Sequence, residues 1–177
     1  MNNNKRTKIK KNIGIVFWVT GLSGVGKSTI SELIQKKISK KFGPTIHING
    51  DDLRKIFNLK KYDIKSRKEY VLRYSKFCKF ITQQNINVII ALGGLFNFIR
   101  KWNRKNLKNY IEIYLIASNH NIKKNDIRKI YNKKNVFGKD LKPELPKKPH
   151  FILYNDFKTK PANLSNMLMS KILKKYF

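Results

Sequence analysis

Short, continuous apolar runs alternate along the chain with longer stretches in which apolar residues recur every three or four positions. Ile13 to Thr20 is an apolar run of strand length closed by Gly21, the pattern of a strand buried on both faces. From Ser28 to Lys40, Ile30, Leu33, Ile34 and Ile38 fall at helical spacing, and Gly43-Pro44 ends the segment. Thr45 to Ile48 predicts a second strand. A helix is predicted to start near Asp51 and a longer one to run from about Ser66 to Gln83. Asn87 to Leu92 reads as a buried strand closed by Gly93-Gly94, Phe96 to Trp102 as helical, and Tyr110 to Ile116 as another strand. Asn121 to Lys134 is polar with few apolar anchors and is predicted helical, followed by a proline-punctuated loop from Val136 to Pro149. Phe151 to Tyr154 predicts the last strand, and Pro161 opens a helix carrying Leu164, Leu168 and Ile172 on one face. Strands alternating with helices predict an α/β fold, a mostly parallel central sheet with helices on both faces. With no internal repeat and no interdomain linker, residues 13–177 read as a single domain behind a flexible, basic lead-in of residues 1–12.

Between the first strand and the first helix stands Gly21-Leu22-Ser23-Gly24-Val25-Gly26-Lys27-Ser28-Thr29, which satisfies the phosphate-loop pattern G-x-x-x-x-G-K-S/T in full. Glycines let the backbone curl so that successive N–H groups face phosphate oxygens, and the following helix adds its N-terminal dipole. Lys27 is placed to reach the β- and γ-phosphates, and the Ser28 hydroxyl to ligate magnesium. The strand before and the helix after are the context that the motif requires. These residues predict ATP and magnesium binding within a three-layer P-loop NTPase fold. A GTPase is disfavoured because no N-K-x-D motif is present, and a motor ATPase because Val88-Ile89-Ile90-Ala91-Leu92 ends without an acidic residue. The chain therefore reads as a small kinase.

Composition changes this picture little. A hydrophobic content of 41% supports a globular protein. The single cysteine, Cys78, excludes an internal disulfide and a cysteine zinc site, and it reads as a small apolar residue packed in a helix rather than a reactive thiol. The apolar run at Ile13 leads into the phosphate loop, not into a cleavage site, and no run is long enough to span a bilayer, so a soluble, cytoplasmic protein without a membrane partner is expected. The net charge of +30 would attract nucleic acid, yet the lysines are spread evenly and accompany an excess of asparagine and isoleucine. That joint bias reads as compositional drift, so a nucleic-acid partner is not expected. His47, His120 and His150 lack metal-ligand spacing and read as structural or surface residues.

Beyond the phosphate loop, Phe17 to Ile30 resembles the opening segment of adenylyl-sulfate (APS) kinases. Asn49-Gly50-Asp51-Asp52-Leu53-Arg54 is similar to that family's D-G-D-x-L-R segment, Ser66-Arg67-Lys68-Glu69 to its D-R-x-E helix start, and Asn135 to Asp140 with Pro146 to Pro149 to the stretch before its last strand. The resemblance implies ATP-dependent transfer of the γ-phosphoryl group to a ribose 3′-hydroxyl of a small anionic nucleotide, by default adenylyl sulfate. It implies Asp51 near the acceptor hydroxyl and, through water, near magnesium. Arg54 and Arg67 would hold the substrate's anionic groups, and Tyr62 would stack on its base. The bland alternatives are an N-cap role for Asp51, a solvated helix position for Arg54 or Arg67, and core packing for Tyr62.

Several positions depart from the family. Asn49 replaces the first aspartate of D-G-D, Tyr70 and Leu72 replace the asparagine and first arginine of E-N-I-R-R, and the S-P-Y-R motif is absent. Gly93-Gly94-Leu95-Phe96-Asn97 and Trp102-Asn103-Arg104 resemble instead the branch of the family found in surface-polysaccharide pathways, which implies a CDP-linked acceptor such as cytidine diphosphoramidate. The segment expected to close over ATP, about residues 121–149, carries Asn125-Asp126 in place of R-D and is several residues short between Tyr131 and Asn135. A shorter lid excludes water less well, which leaves a degenerate, weakly active nucleotide binder as a further reading. The family often forms homodimers, and a homodimer is left open here.

Overall fold

The computed structural model describes residues 9–126, 129–132 and 134–176. Strands β1 (Val16–Thr20), β2 (Thr45–Asn49), β3 (Asn87–Leu92), β4 (Tyr110–Ile116) and β5 (Phe151–Tyr154) form one sheet in the order β2-β3-β1-β4-β5. All four pairings are parallel. Helices α1 (Lys27–Phe42), α2 (Gly50–Ile56), α3 (Ile64–Gln83), α4 (Asn97–Asn106), α5 (Asn119–Lys124) and α6 (Pro161–Tyr176) make the connections.

The period-two geometry of β1 divides its side chains between two cores. Phe17 and Val19 face Ile30, Ile34 and Ile38 of α1 and Leu164, Leu168 and Ile172 of α6. Val16 and Trp18 face Leu53 of α2, Tyr74 and Cys78 of α3 and Ile99 of α4. Every β1 residue is buried, which is why its sequence shows no polar alternation. The expected sheet with helices on both faces is present, and Cys78 is packed inside α3 as expected.

The first strand starts at Val16 rather than Ile13. The Ile15 N–H is taken by the Asn87 side chain at 2.9 Å instead of a neighbouring strand. Gly14 leaves no room for a side chain, since a Cβ there would lie 2.0 Å from the Ile86 carbonyl oxygen. Residues 1–8 of the expected lead-in lie outside the described residues. Its last part is pinned, because Asn109 accepts a hydrogen bond from Lys10 N and donates to Lys10 O. Helix α3 begins two residues early because Asp63 caps it, accepting from Ser66 N at 2.9 Å.

The predicted helix over Asn121 to Lys134 is corrected. Helix α5 ends at Lys124, and Ile130–Asn132 is a single 3-10 turn. Ile122 is the only buried residue of α5, too little apolar surface to hold a longer helix against the sheet.

Candidate active site

A cavity of about 740 Å³ opens at the carboxyl ends of β1, β2 and β3. Such crevices beyond the strand ends are where open parallel sheets bind ligands, and this volume is of the size that small molecules occupy. Ser23, Lys27 and Ser28 line one end, Asn49, Gly50, Asp51 and Arg54 the middle, and Tyr62, Arg67, Tyr70, Tyr74, Phe96 and Phe137 the other.

The phosphate loop adopts the curled path that its glycines allow. Gly24 and Gly26 have φ of 80° and 91°, and a Cβ on Gly26 would meet the Asn155 amide at 2.9 Å. Asn155 donates to Val25 O and so ties the loop to the end of β5. Lys27 Nζ donates to Leu22 O at 2.8 Å, which folds the ammonium over the loop. Helix α1 has no acidic residue in its first turn, so its N-terminal dipole remains available to an anion. Ser28 and Asp51 line the same cavity and supply hard oxygen donors of the kind magnesium takes alongside water, so the residues fit that ion. Thr29 lies inside α1. Leu22 rests against Gly138, and Val25 is buried in the core.

Among the substrate residues expected from sequence, Asp51 is corrected in one respect. Helix α2 starts at Gly50 with Asn49 at the N-cap position, so Asp51 sits inside the first turn rather than at the N-cap. Arg54 is not a solvated helix residue. Its guanidinium lies 4.1 Å from the Tyr62 ring and 5.3 Å from that of Tyr70, and it donates to Leu59 O and Lys61 O. Arg67 is likewise enclosed. It lies 5.4 Å from the Tyr62 ring and 5.3 Å from that of Phe137, and donates to Tyr62 O and Asn135 O at 2.8 Å each. Burial, aided by the nearby Arg54 charge, pulls the Arg67 pKa below the ordinary arginine value. Tyr62 is 49% exposed over this pair of arginines, so core packing does not account for it.

Four aromatic cavity residues escaped the sequence reading as site residues: Tyr70, Tyr74, Phe96 and Phe137. A signal for two of them was present, since Arg67, Tyr70 and Tyr74 recur at helical spacing on one face of α3. The aromatic walls and the cations Lys27, Arg54, Lys55, Lys60, Arg67 and Lys134, set against Asp51, make a site for a planar, strongly anionic ligand. The late segment meets the phosphate loop through Tyr131, whose hydroxyl donates to Ser23 O at 3.3 Å, and Ile130, Lys134, Val136 and Phe137 complete the wall.

His150 and Glu112 stand apart from this cavity. Glu112 is fully buried in β4, paired with Arg104 at 2.5 Å and with Arg100 at 3.8 Å. Arg100 and Arg104 also donate to Glu144 O and Lys148 O, which fixes the approach to β5. His150 Nδ1 accepts from Glu112 N at 2.9 Å. Among the described residues no three histidine, cysteine, aspartate or glutamate side chains cluster to hold a metal, and no helix is long and apolar enough to cross a membrane.

A parallel 2-3-1-4-5 sheet with a phosphate loop at the end of β1 and an aromatic, cationic cavity beside it defines a P-loop nucleotide-dependent phosphotransferase. The adenylylsulphate kinase family profile matches residues 13–153, and the chain belongs to that family, whose members transfer phosphate from ATP to a hydroxyl acceptor. The cytidine diphosphoramidate kinase of Campylobacter jejuni is 37% identical over 142 residues, covering 77% of this chain and 84% of its own length. An adenylyl-sulfate kinase of Clostridium acetobutylicum is 33% identical over 165 residues, covering 88% and 82%. The fold matches that of a Mycobacterium tuberculosis APS kinase solved in complex with AMPPNP and APS, with a TM-score of 0.81, 21% identity and coverage of 91% of this chain and 98% of that one.

Proposed function

We propose that this protein transfers the γ-phosphoryl group of ATP to the ribose 3′-hydroxyl of a nucleotide-linked acceptor bound at the aromatic end of the cavity. The observation that carries the reading is the single cavity lined by Lys27 and Ser28 at one end, Asp51 in the middle and Arg54, Tyr62 and Arg67 at the other. The loop from Gly21 to Thr29 cradles the ATP phosphates, and Lys27 neutralises charge that builds on the transferring group. Ser28 and, through water, Asp51 would hold magnesium, which when bound adds further charge neutralisation at the phosphates. Asp51 orients the acceptor hydroxyl and accepts its proton. Arg54 binds the acceptor's anionic part, and Arg67 holds the Tyr62 and Asn135 segments in place around it.

Adenylyl sulfate is the acceptor named for most of the relatives, and its use would place the protein in sulfate assimilation. A cytidine diphosphoramidate acceptor is supported by a specific observation. Tyr70 and Leu72 stand where the resemblance calls for asparagine and arginine, and α3 presents Tyr70 to the cavity in place of the asparagine, with Tyr74 one turn further on. A cytoplasmic location is part of the same reading, which leaves a homodimer open.

Purified protein incubated with magnesium and ATP, with each acceptor separately, decides the matter through ADP release and product mass. Turnover with one acceptor, reduced at least about 100-fold in Lys27→Ala, is expected. Silence with both acceptors, alongside measurable ATP binding, would replace this reading with that of a decayed nucleotide binder.

A further inference from the structure

Two cavity-lining side chains carry a buried polar atom with no hydrogen-bond partner among the described residues: Tyr74 Oη and Asn49 Oδ1. A buried, unpaired polar atom is costly, and folded proteins leave few of them. Asn49 makes the point sharply. It occupies the N-cap position of α2 with extended backbone, φ −95° and ψ 142°, where an asparagine side chain ordinarily accepts from the helix's first N–H groups. It makes no such bond. Its Oδ1 is spent neither on the helix nor on a described neighbour, and the residue borders the cavity.

Tyr74 is 4% exposed and lies on the face of α3 that brings Arg67 and Tyr70 to the same cavity. Its neighbours in the core include Leu53, Val71 and Leu92, where a phenylalanine would pack as well. The hydroxyl is therefore an addition that packing does not require. Arg54, Tyr70, Asp51 and Tyr62 are the charged and titratable groups close enough to influence it, so it belongs to the acceptor end of the cavity. Burial pushes its pKa up to about 12, which keeps it a donor at neutral pH.

We infer that Tyr74 and Asn49 are specificity-determining residues that together hydrogen-bond one polar group of the acceptor, a group that both accepts and donates. The Tyr74 hydroxyl donates to an oxygen of that group, and Asn49 Oδ1 accepts from an N–H or O–H on it. The sulfuryl group of adenylyl sulfate presents only acceptor oxygens, whereas a phosphoramidate presents oxygens and an N–H donor. The pair thus selects an acceptor whose buried group is of the phosphoramidate type, because a site with an unpaired acceptor discriminates strongly against a ligand that lacks the donor. This inference rests on the phosphotransfer reading proposed above.

The test compares Tyr74→Phe and Asn49→Ala with the wild type, using cytidine diphosphoramidate, adenylyl sulfate and ATP as varied substrates. Tyr74→Phe should lower kcat/KM for cytidine diphosphoramidate by about 10- to 100-fold, leave the KM for ATP within about twofold and leave the thermal midpoint equal or higher. Asn49→Ala should lower the preference for cytidine diphosphoramidate over adenylyl sulfate by at least about 10-fold. An unchanged kcat/KM in Tyr74→Phe, or an unchanged preference in Asn49→Ala, overturns the inference. So does a loss shared equally by ATP and accompanied by a lower thermal midpoint, which marks a structural role. If the wild type turns over neither acceptor, the phosphotransfer reading fails on its own. Calorimetric titration of cytidine diphosphoramidate in the presence of magnesium and a non-hydrolysable ATP analogue then decides. Binding at least about 10-fold weaker in Tyr74→Phe supports the inference, and equal binding or none to the wild type overturns it.

Discussion

His150 makes stability depend on pH through a bond that requires its ring to be neutral. Its Nδ1 accepts from Glu112 N at 2.9 Å, its own N–H donates to Glu112 O at 3.0 Å, and its ring stands edge-on to Tyr110 at 5.8 Å. Burial first, then the charges of Arg104 and Lys175, lowers its pKa from 6.5 to about 4. The unfolded chain therefore binds a proton in a window where the folded protein does not. Stability from this group is fully present above pH 6.5 and is lost as pH falls toward 4. Between pH 8 and pH 4.5 the two values give a loss of about 2.5 kcal/mol, a large share of the total stability of a typical domain. Protonation would also put a hydrogen on Nδ1 and leave Glu112 N without its acceptor. His150→Phe keeps a ring against Tyr110 but removes the titration. At pH 8 it should cost about 1–3 kcal/mol for the orphaned Glu112 N–H. At pH 4.5 the gap to the wild type should close. Urea unfolding followed by fluorescence of the buried Trp18, at intervals from pH 4.5 to 8, reads both curves. Taking the difference cancels other titrating groups, His47 among them. Curves that run parallel for wild type and variant would refute the assignment of this window to His150.

Two further outcomes follow from buried groups. Glu112→Ala removes a fully buried carboxylate and leaves Arg100, whose side chain is only 7% exposed, as an uncompensated charge, so a loss of about 3–5 kcal/mol is expected by urea denaturation, with less for Glu112→Met paired with Arg100→Leu. Cys78 is fully buried and burial pushes its thiol up to about 12, so the native protein should resist maleimide labelling at neutral pH and react only in denaturant; rapid native labelling would show that α3 opens locally.

Much of the fold was legible because the three central strands, β3, β1 and β4, are buried on both faces. A short uninterrupted run such as Ile13 to Thr20, closed by Gly21, reads as a strand covered on both faces, and Gly43-Pro44 and Gly93-Gly94 mark the ends of α1 and β3. The misreadings arose where a side chain competes with regular structure. Asn87 captures the Ile15 N–H and delays β1, while Asp63 captures Ser66 N and starts α3 early. The polar stretch after Ile122 followed propensity on paper, but with one buried anchor α5 had nothing to extend for. Glu112, flanked by Ile111 and Ile113 in an otherwise apolar strand, was an anomaly that could have been paired with Arg100 and Arg104, which stand four apart on α4.

The cavity was legible at one end only, for a geometric reason. The phosphate loop is local, so nine consecutive residues specify both its curvature and its ligand. The acceptor end is assembled from separate parts of the chain: Tyr62 before α3, Tyr70 and Tyr74 on it, Phe96 after β3, and Phe137 from the late segment. Their convergence depends on the order β2-β3-β1, which brings the carboxyl ends of three strands to one edge. On paper the helical spacing of Tyr70 and Tyr74 with Arg67 marks a shared face of α3 but not its role, because a stripe that faces a cavity has the same period as one that faces a core. What separates them is the unpaired Tyr74 hydroxyl, and that becomes visible only when its surroundings are known. Residues that line a cavity assembled from separate segments are therefore the ones that sequence pattern conceals most effectively.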